Sequence, residues 1–324
     1  MLRWSMMGDN LFSHEEEDNT VLMRAAESSV GKKSAVKDNL VKWGALSLLL
    51  FPLVIGRAAG LLRQEKTFDT TSSPHIGLSN FIGHVVVKGW DRQQVHVLYG
   101  TTSPQVIVDV DQLPPQGPVE KIHITTRLSD PKAVGVDKTV FYSLDVPLGA
   151  NLEIRNSDGR VDIEKLQGDA SVDSSAAIIS VSDVAGRVMA NSIDGNIEIL
   201  RSSGKIEATS ICGNLHFVSP TGSALKAQTT SGKIVYEGDL VSGGDYTFRN
   251  YSGDIDLFLP SSASFELNKT VLRGRFLSEI PTSNRPQKGR PLPEAHTFLG
   301  SNVSSTAAVR VSSYSGNVHI HRQP

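Results

Sequence analysis

Between residues 159 and 222 the chain repeats one pattern of apolar and polar positions every nine residues. Each repeat begins with glycine, or with Ala177 in one case, and apolar or small residues follow at the second and fourth positions. Ile197 and Ile199, for example, follow Gly195. Alternation at period two predicts short strands with one buried face. The glycine allows the backbone conformation or close approach that a tight corner needs.

Strands this short leave little room for a hairpin meander, but two nine-residue units make one 18-residue coil. Like positions of successive coils then stack, and each coil buries its narrow apolar stripe against its neighbours. We therefore predict an all-β, single-stranded β-solenoid (β-helix), with right-handed coils favoured. The predicted corner residues are Gly159, Gly168, Gly186, Gly195, Gly204, Gly213, Gly222, Gly232, Gly253, Gly274 and Gly316.

After Gly222 the period loosens, although the motif returns around Gly232, Gly253, Gly274 and Gly316. Coils lengthened by inserts at their turns account for these wider intervals. Residues 281–300 contain four prolines and little alternation. We predict that this segment is a loop that protrudes from the solenoid.

A different pattern precedes the solenoid, because residues 43–56 carry no charge and the apolar run continues past Arg57 to Leu62. This length predicts a single transmembrane signal anchor over residues 43–62. A cleaved export signal and a buried soluble helix are the alternatives, and Pro52 speaks against the helix. The remaining boundaries are a polar, partly disordered tail (1–42), a linker (63–72) and the solenoid domain (73–324).

Charge bears on topology and on partners. Four lysines precede the apolar run, which favours a cytoplasmic N-terminus and a solenoid on the periplasmic or extracellular side. The net charge of −2, from 32 basic and 34 acidic residues, creates no strong field that would attract nucleic acid, and it argues against a nucleic-acid binder. The single cysteine, Cys212, excludes an internal disulfide and a cysteine-based zinc site.

Some β-helix proteins process polysaccharides, and that chemistry needs two carboxylates on one face. The pairs to consider are Asp162 with Glu164, Asp194 with Glu198, and Glu198 with Glu207 on neighbouring strands. All occupy outward positions, where solvated charge is the simpler interpretation. The fixed aspartate of calcium-binding nonapeptide repeats is missing as well.

The sequence "HIH" places His319 and His321 on one face of the final strand, which is the geometry of two metal ligands. No third ligand stands nearby in the sequence, so an exposed polar face is the favoured interpretation. Trp90 follows a glycine at a strand end, where we predict a cap or packing residue. We predict no catalytic, cofactor-binding or metal-binding residues, and no cofactor.

Three stretches together carry a family resemblance. The first is "NFIGHVVVKGWDRQQVHV" (80–97), the second is "YSLDVPLGANLEIRNSDGRVDIEKLQG" (142–168), and the third is the glycine repeat that ends at "YSGNVHIH". Over residues 73–324 the chain resembles the putative-adhesin family of bacterial domains of unknown function (number 4097). The resemblance implies a β-solenoid that is commonly exported or membrane-tethered, and it implies no catalytic residues.

These observations lead to one preferred function and two alternatives. We expect a non-enzymatic, membrane-anchored module of the bacterial envelope that binds polysaccharide or a surface protein, or acts as a scaffold. The alternatives are a carbohydrate-active β-helix enzyme and a cytoplasm-facing regulatory or sensor module.

Overall fold

The structure, a computed structural model, describes residues 62–281, 296–299 and 307–323. These residues contain 21 strands joined in one hydrogen-bonded network. The strands are β1 (Leu62–Trp90), β2 (Gln94–Thr101), β3 (Val106–Leu113), β4 (Val119–Leu128), β5 (Thr139–Pro147), β6 (Asn151–Leu166), β7 (Ala170–Ser174), β8 (Ile178–Val184), β9 (Val188–Ser192), β10 (Ile197–Leu200), β11 (Ile206–Ser210), β12 (Leu215–Val218), β13 (Ala224–Thr229), β14 (Ile234–Glu237), β15 (Asp245–Asn250), β16 (Ile255–Pro260), β17 (Phe265–Val271), β18 (Phe276–Ser278), β19 (His296–Leu299), β20 (Ala307–Ser313) and β21 (Val318–Gln323).

Most strands form two parallel stacks, because the chain alternates between them from one strand to the next. Strands β2, β3 and β19 join the network through antiparallel pairs. Face A consists of β4, the middle of β1, the first half of β6, and then β7, β9, β11, β13, β15, β20 and β17. Face B consists of β5, the end of β1, the second half of β6, and then β8, β10, β12, β14, β16, β21 and β18. The prediction of an all-β, solenoid-like fold is confirmed.

The last coil in sequence is not the last coil in space. Strand β20 pairs with β15 on one side and with β17 on the other, and β21 lies in the same way between β16 and β18. Residues 307–323 are therefore inserted between the coil of 245–260 and the coil of 265–278. The repeat alone predicts a stack in chain order, and this insertion is the main departure from it.

Glycines stand where backbones of successive coils approach closely. A Cβ atom on Gly195 would lie 1.9 Å from the carbonyl oxygen of Ala177, and one on Gly213 would lie 2.0 Å from that of Gly195. The same contact continues through Gly232, Gly253, Gly316 and Gly274. The opposite corner has an equivalent column at Gly168, Gly186, Gly204 and Gly222. Neither column has room for a side chain at these glycines.

A polar residue three positions before the corner completes the turn. The Ser210 Oγ accepts a hydrogen bond from the Gly213 N–H at 2.9 Å, and Thr229 and Asn250 serve the next two coils in the same way. Ala177, the one non-glycine of this column, donates its N–H to the Ser174 Oγ at 2.7 Å. These side chains satisfy backbone donors inside the stack.

The buried side chains become larger from the middle coils to the later ones. Small aliphatic residues such as Ala190 and Ala208 fill the middle coils, whereas Phe217, Tyr236 and Phe248 fill the later ones. The Tyr236 ring packs edge-on against the Phe248 ring at 5.5 Å between centroids. The bulkier core accompanies the longer coils of the C-terminal half.

The structure gives different outcomes for the predicted N-terminal segments, the predicted linker and the predicted loop. The tail and the anchor lie outside the described residues, apart from Leu62, and none of the described segments is a helix apolar and long enough to cross a membrane. The predicted linker, 63–72, lies within β1, whose first eight residues pair antiparallel with β2. In the predicted protruding loop, Pro281 and His296–Leu299 are described, and the latter form strand β19 against β17.

Candidate functional site

The outward side of face A carries a polar column of side chains. The column runs in register through Arg155, Asp173, Asn191, Thr209, Gln228, Arg249, Ser312 and Thr270. Neighbouring strands are spaced by about 4.8 Å, so these side chains form a regular array of hydrogen-bonding groups. The alternating pattern of the sequence creates this array, since every second residue must point away from the core.

A groove of about 290 Å³ opens on face A where β15, β20 and β17 lie side by side. Its lining residues are Thr247, Arg249, Asn268, Thr270, Arg310, Val311 and Ser312. The Arg310 Nη1 contacts the Asp245 Oδ1 at 2.5 Å at the edge of this group. Two guanidinium groups among hydroxyls and an amide can bind carboxylate or phosphate oxygens and sugar hydroxyls.

Two tyrosines stand at the corner that follows this groove. Tyr251 comes two residues after Arg249, and Tyr314 comes two residues after Ser312. Their rings stack at 4.6 Å between centroids with an angle of 4° between planes, and the Arg273 guanidinium lies 5.2 Å from the Tyr314 ring. Tyr251 keeps 54% of its surface exposed. Tyr251 therefore offers an exposed aromatic surface beside the polar groove, and Tyr314 supports it from behind.

Face B carries a cluster of titratable side chains at the inserted coil. The His321 Nε2 lies 3.3 Å and the His319 Nδ1 lies 3.6 Å from the same atom, Oδ1 of Asp256. The Lys233 Nζ binds the other carboxylate oxygen, Oδ2, at 2.6 Å. Asp256 is 7% exposed. Two imidazoles and a carboxylate are thus brought together from β16 and β21.

Opposing effects set the charge state of Asp256. Burial raises the pKa of its carboxyl, but hydrogen bonds from Lys233 and His321, together with their positive charges, outweigh this effect. The pKa of Asp256 is therefore lowered, and the carboxylate is ionised at neutral pH. An ionised, buried carboxylate oxygen between two imidazoles can bind a cation.

The carboxylates considered for hydrolysis lie apart or have basic partners. Asp162 contacts His84 Nε2 at 2.5 Å and Arg160 Nε at 2.8 Å, and Glu164 lies 3.6 Å from Lys88. Glu198 and Glu207 belong to different faces, because β10 pairs with β8 and β12 whereas β11 pairs with β9 and β13. Glu198 and Glu207, considered as a pair on neighbouring strands, therefore lie on opposite stacks, because strands that follow one another in the chain alternate between the two faces.

Trp90 lies at the turn between β1 and β2 and is half-buried. Its indole Nε1 donates to the Gln94 carbonyl at 2.7 Å, its ring stacks on His96 at 6.4 Å, and the Arg92 guanidinium lies 5.0 Å from the ring. Leu148 donates its backbone N–H to the Trp90 carbonyl at 2.9 Å. These contacts hold the first turn of the domain together.

Sequence reasoning missed Arg249, Arg310, the tyrosine pair and Asp256. A signal for Asp256 was present, because Asp256 and His319 each stand three residues after a glycine, Gly253 and Gly316. The structure pairs Asp256 with His319 in register. Alignment of these two coils on their glycines gives Asp256 and His319 the same coil position, and the insertion of β21 beside β16 makes them neighbours.

Comparison with known proteins adds a family but no established activity. No curated protein matches the chain. A crystal structure of a "putative cell adhesion protein" from Clostridium sporogenes covers 82% of this chain and 100% of its own, with 9% identity and a TM-score of 0.27. A "putative adhesin" from Parabacteroides merdae covers 80% and 95%, with 11% identity and a TM-score of 0.26.

The family itself is shown by the sequence. The description "Toastrack DUF4097" belongs to a family model that matches residues 85–321. The match takes in most of the strands of both faces, including the inserted coil, and it confirms the resemblance drawn from the three stretches of the sequence. The chain belongs to the Toastrack DUF4097 family.

Proposed function

We propose that this protein is a non-catalytic, adhesin-like module of the cell envelope that binds acidic polysaccharide along face A. The groove between β15, β20 and β17 carries the proposal, since it places Arg249 and Arg310 among Thr247, Asn268 and Ser312. Guanidinium groups bind carboxylate or phosphate oxygens in pairs, and the neutral groups match sugar hydroxyls.

The polar column of face A extends this interaction beyond the groove. A polymer that lies along the stack meets a new polar side chain at each strand, so many weak hydrogen bonds act together. Binding through linked weak contacts strengthens steeply with the number of sites engaged. A long polysaccharide is therefore a better ligand than its short fragments. Asp162 and Glu164, which were considered as catalytic carboxylates, are both paired with basic side chains, and this supports a binding role over a hydrolytic one.

The proposed location follows from the sequence before residue 63. A signal anchor at 43–62, with lysines on its N-terminal side, would tether the solenoid outside the cytoplasm. A tag after Pro324 and protease digestion of intact cells, spheroplasts and lysed spheroplasts test this location. Digestion before lysis supports the envelope module, whereas protection until lysis contradicts it and favours a cytoplasmic scaffold or sensor.

The binding proposal is tested with the purified full chain on immobilised acidic and neutral polysaccharides. Substitution Arg249→Ala removes a charged donor from the groove, and we expect about a tenfold or greater loss of affinity for the acidic polymer. Arg201→Ala is the matched control, because Arg201 is an exposed arginine that follows β10 of face B and lies outside the polar column of face A. Equal affinity for the two variants, or no binding by the parent chain, would contradict the proposal.

A further inference from the structure

We propose that Asp256, His319 and His321 form a binding site for a divalent transition-metal ion of the zinc type. The site joins β16 to β21, and hence the inserted coil to the preceding coil of the stack. It lies on face B and is independent of the polysaccharide groove on face A.

The donor atoms have the separations that a small tetrahedral ion requires. Oδ1 of Asp256 lies 3.6 Å from His319 Nδ1 and 3.3 Å from His321 Nε2, and one donor atom from each residue lies within 4.8 Å of the others. Zinc bonds to nitrogen and oxygen are about 2.0–2.2 Å long, so two ligands on a tetrahedral ion are about 3.3–3.5 Å apart. The three atoms can therefore bind one ion with small side-chain adjustments.

The surroundings orient the ligands. Glu279 places Oε1 3.7 Å from His321 Nδ1, the nitrogen that would not bind the metal. Carboxylates next to this second imidazole nitrogen fix the ring and make the ligand nitrogen more basic. Phe258 stacks on the His321 ring at 4.4 Å with an angle of 12° between the ring planes.

Lys233 limits Asp256 to one metal-binding oxygen. Its ammonium group occupies Oδ2 of Asp256, which leaves Oδ1 as a single ligand atom. Three protein ligands then leave a fourth position on the ion open to water or to an external ligand. Two imidazoles with one carboxylate suit zinc, cobalt or iron better than calcium or magnesium, which prefer oxygen ligands.

Other histidines of face B lack this combination. His84 contacts Asp162, and His216 lies between Glu198 (3.7 Å) and Glu237 (3.0 Å). Each brings one imidazole to its carboxylates, and β12 places no second histidine beside His216. His216 is therefore a matched control on the same face.

The test titrates the chelator-treated full chain, held in detergent, with Co²⁺ followed by its visible absorption and then with Zn²⁺ by competition. We expect one tightly bound Co²⁺ ion per chain, with an absorption spectrum that indicates nitrogen and oxygen ligands. His319→Gln and Asp256→Asn each weaken that binding at least about tenfold, whereas His216→Gln leaves it unchanged. The same ion stoichiometry and affinity in the parent chain, His319→Gln and Asp256→Asn would overturn the proposal.

Thermal unfolding separates loss of the site from loss of the fold. Zn²⁺ should raise the unfolding temperature of the parent chain and of His216→Gln, because an ion that binds only the folded state stabilises it. The circular dichroism of Asp256→Asn without metal should match that of the parent chain, while its unfolding temperature no longer responds to Zn²⁺. A full response to Zn²⁺ in a folded Asp256→Asn protein would contradict the proposed ligand set.

Discussion

The coils of residues 159–222 and those of residues 245–323 are built on the same corner but differ in their outward side chains. In the first region, glycines or Ala177 follow at nine-residue steps, and short polar residues and paired charges occupy the outward positions. In the second, inserts break the period and an inserted coil reorders the stack. Two arginines then line one groove, two tyrosines stack, and two histidines face one carboxylate. The repeat meets the needs of stacking, and the candidate binding groups stand where the repeat departs from its own pattern.

The largest expected effect is on the regular corners. Gly213→Val would place a Cβ atom 2.0 Å from the Gly195 carbonyl oxygen, a backbone atom that cannot move without separating the coils. We expect a loss of more than about 3 kcal/mol in the free energy of unfolding, or no folded protein. Urea unfolding and expression level measure this loss.

The control for that prediction lies in the same column. Ala177→Gly removes the one natural Cβ atom there, and only about 0.5–1 kcal/mol should be lost. If Gly213→Val were as stable as Ala177→Gly, the close backbone contact would not be the reason why glycine occupies this corner. The difference between the two regions would then need another cause.

A smaller effect is expected from the polar residues three positions before each corner glycine, which form a polar ladder along the stack. Ser210→Ala leaves the buried Gly213 N–H without its acceptor, and we expect a loss of about 1–2 kcal/mol. Ser203→Ala, at an exposed position of the opposite corner, should change the free energy of unfolding by less than about 0.5 kcal/mol. Urea unfolding of the two variants side by side measures the contrast, and equal losses would mean that the ladder does not support the stack.

The smallest effect concerns Asp162, which occupies the same coil position after Gly159 as Asp256 does after Gly253. Burial raises the pKa of Asp162, but hydrogen bonds from His84 and Arg160 outweigh it and leave the pKa lowered. A lowered pKa in the folded state stabilises the fold above the ordinary carboxyl pKa, and this contribution is lost as the pH falls through the lowered value.

Asp162→Asn should therefore cost about 1 kcal/mol at pH 7, with the difference from the parent chain vanishing in acid. Urea midpoints between pH 2 and pH 7 measure this difference. The difference in stability between the parent chain and Asp162→Asn should be smaller when His84 is replaced by glutamine, because one of the hydrogen bonds that lower the pKa of Asp162 is then absent. A difference that stays constant with pH would show that the charge of Asp162 does not stabilise this coil.

Local patterns revealed much of the fold, because strand alternation and glycine steps are properties of neighbouring residues. They predicted the all-β, solenoid-like stack, and the corner glycines can be followed in the structure through Gly195 and Gly213. The insertion of β20 and β21 was out of reach, because it depends on contacts between residues about 60 positions apart, such as Asp256 with His319. The strand at 62–69 was missed for the same reason, since its partner is β2.

The candidate site was less accessible to sequence reasoning than the fold. Arg249 and Arg310 come together only after the insertion places β20 beside β15. Tyr251 and Tyr314 likewise occupy equivalent corners of two coils that are separated in the chain. Each residue alone resembles an ordinary outward side chain, and only the spatial order of the coils gives it a partner.

The inserted coil also has a consequence for the order in which the protein is assembled during synthesis. Coils up to residue 260 can add one upon another as they emerge, because each finds its template already in place. Residues 265–278 have no such template, since β17 and β18 rest on β20 and β21, which are translated later. Residues 265–278 can therefore join the stack only after residues 307–323 have paired with β15 and β16. A chain that ended before residue 307 would leave the edges of β15 and β16 unpaired and exposed to the strands of other molecules.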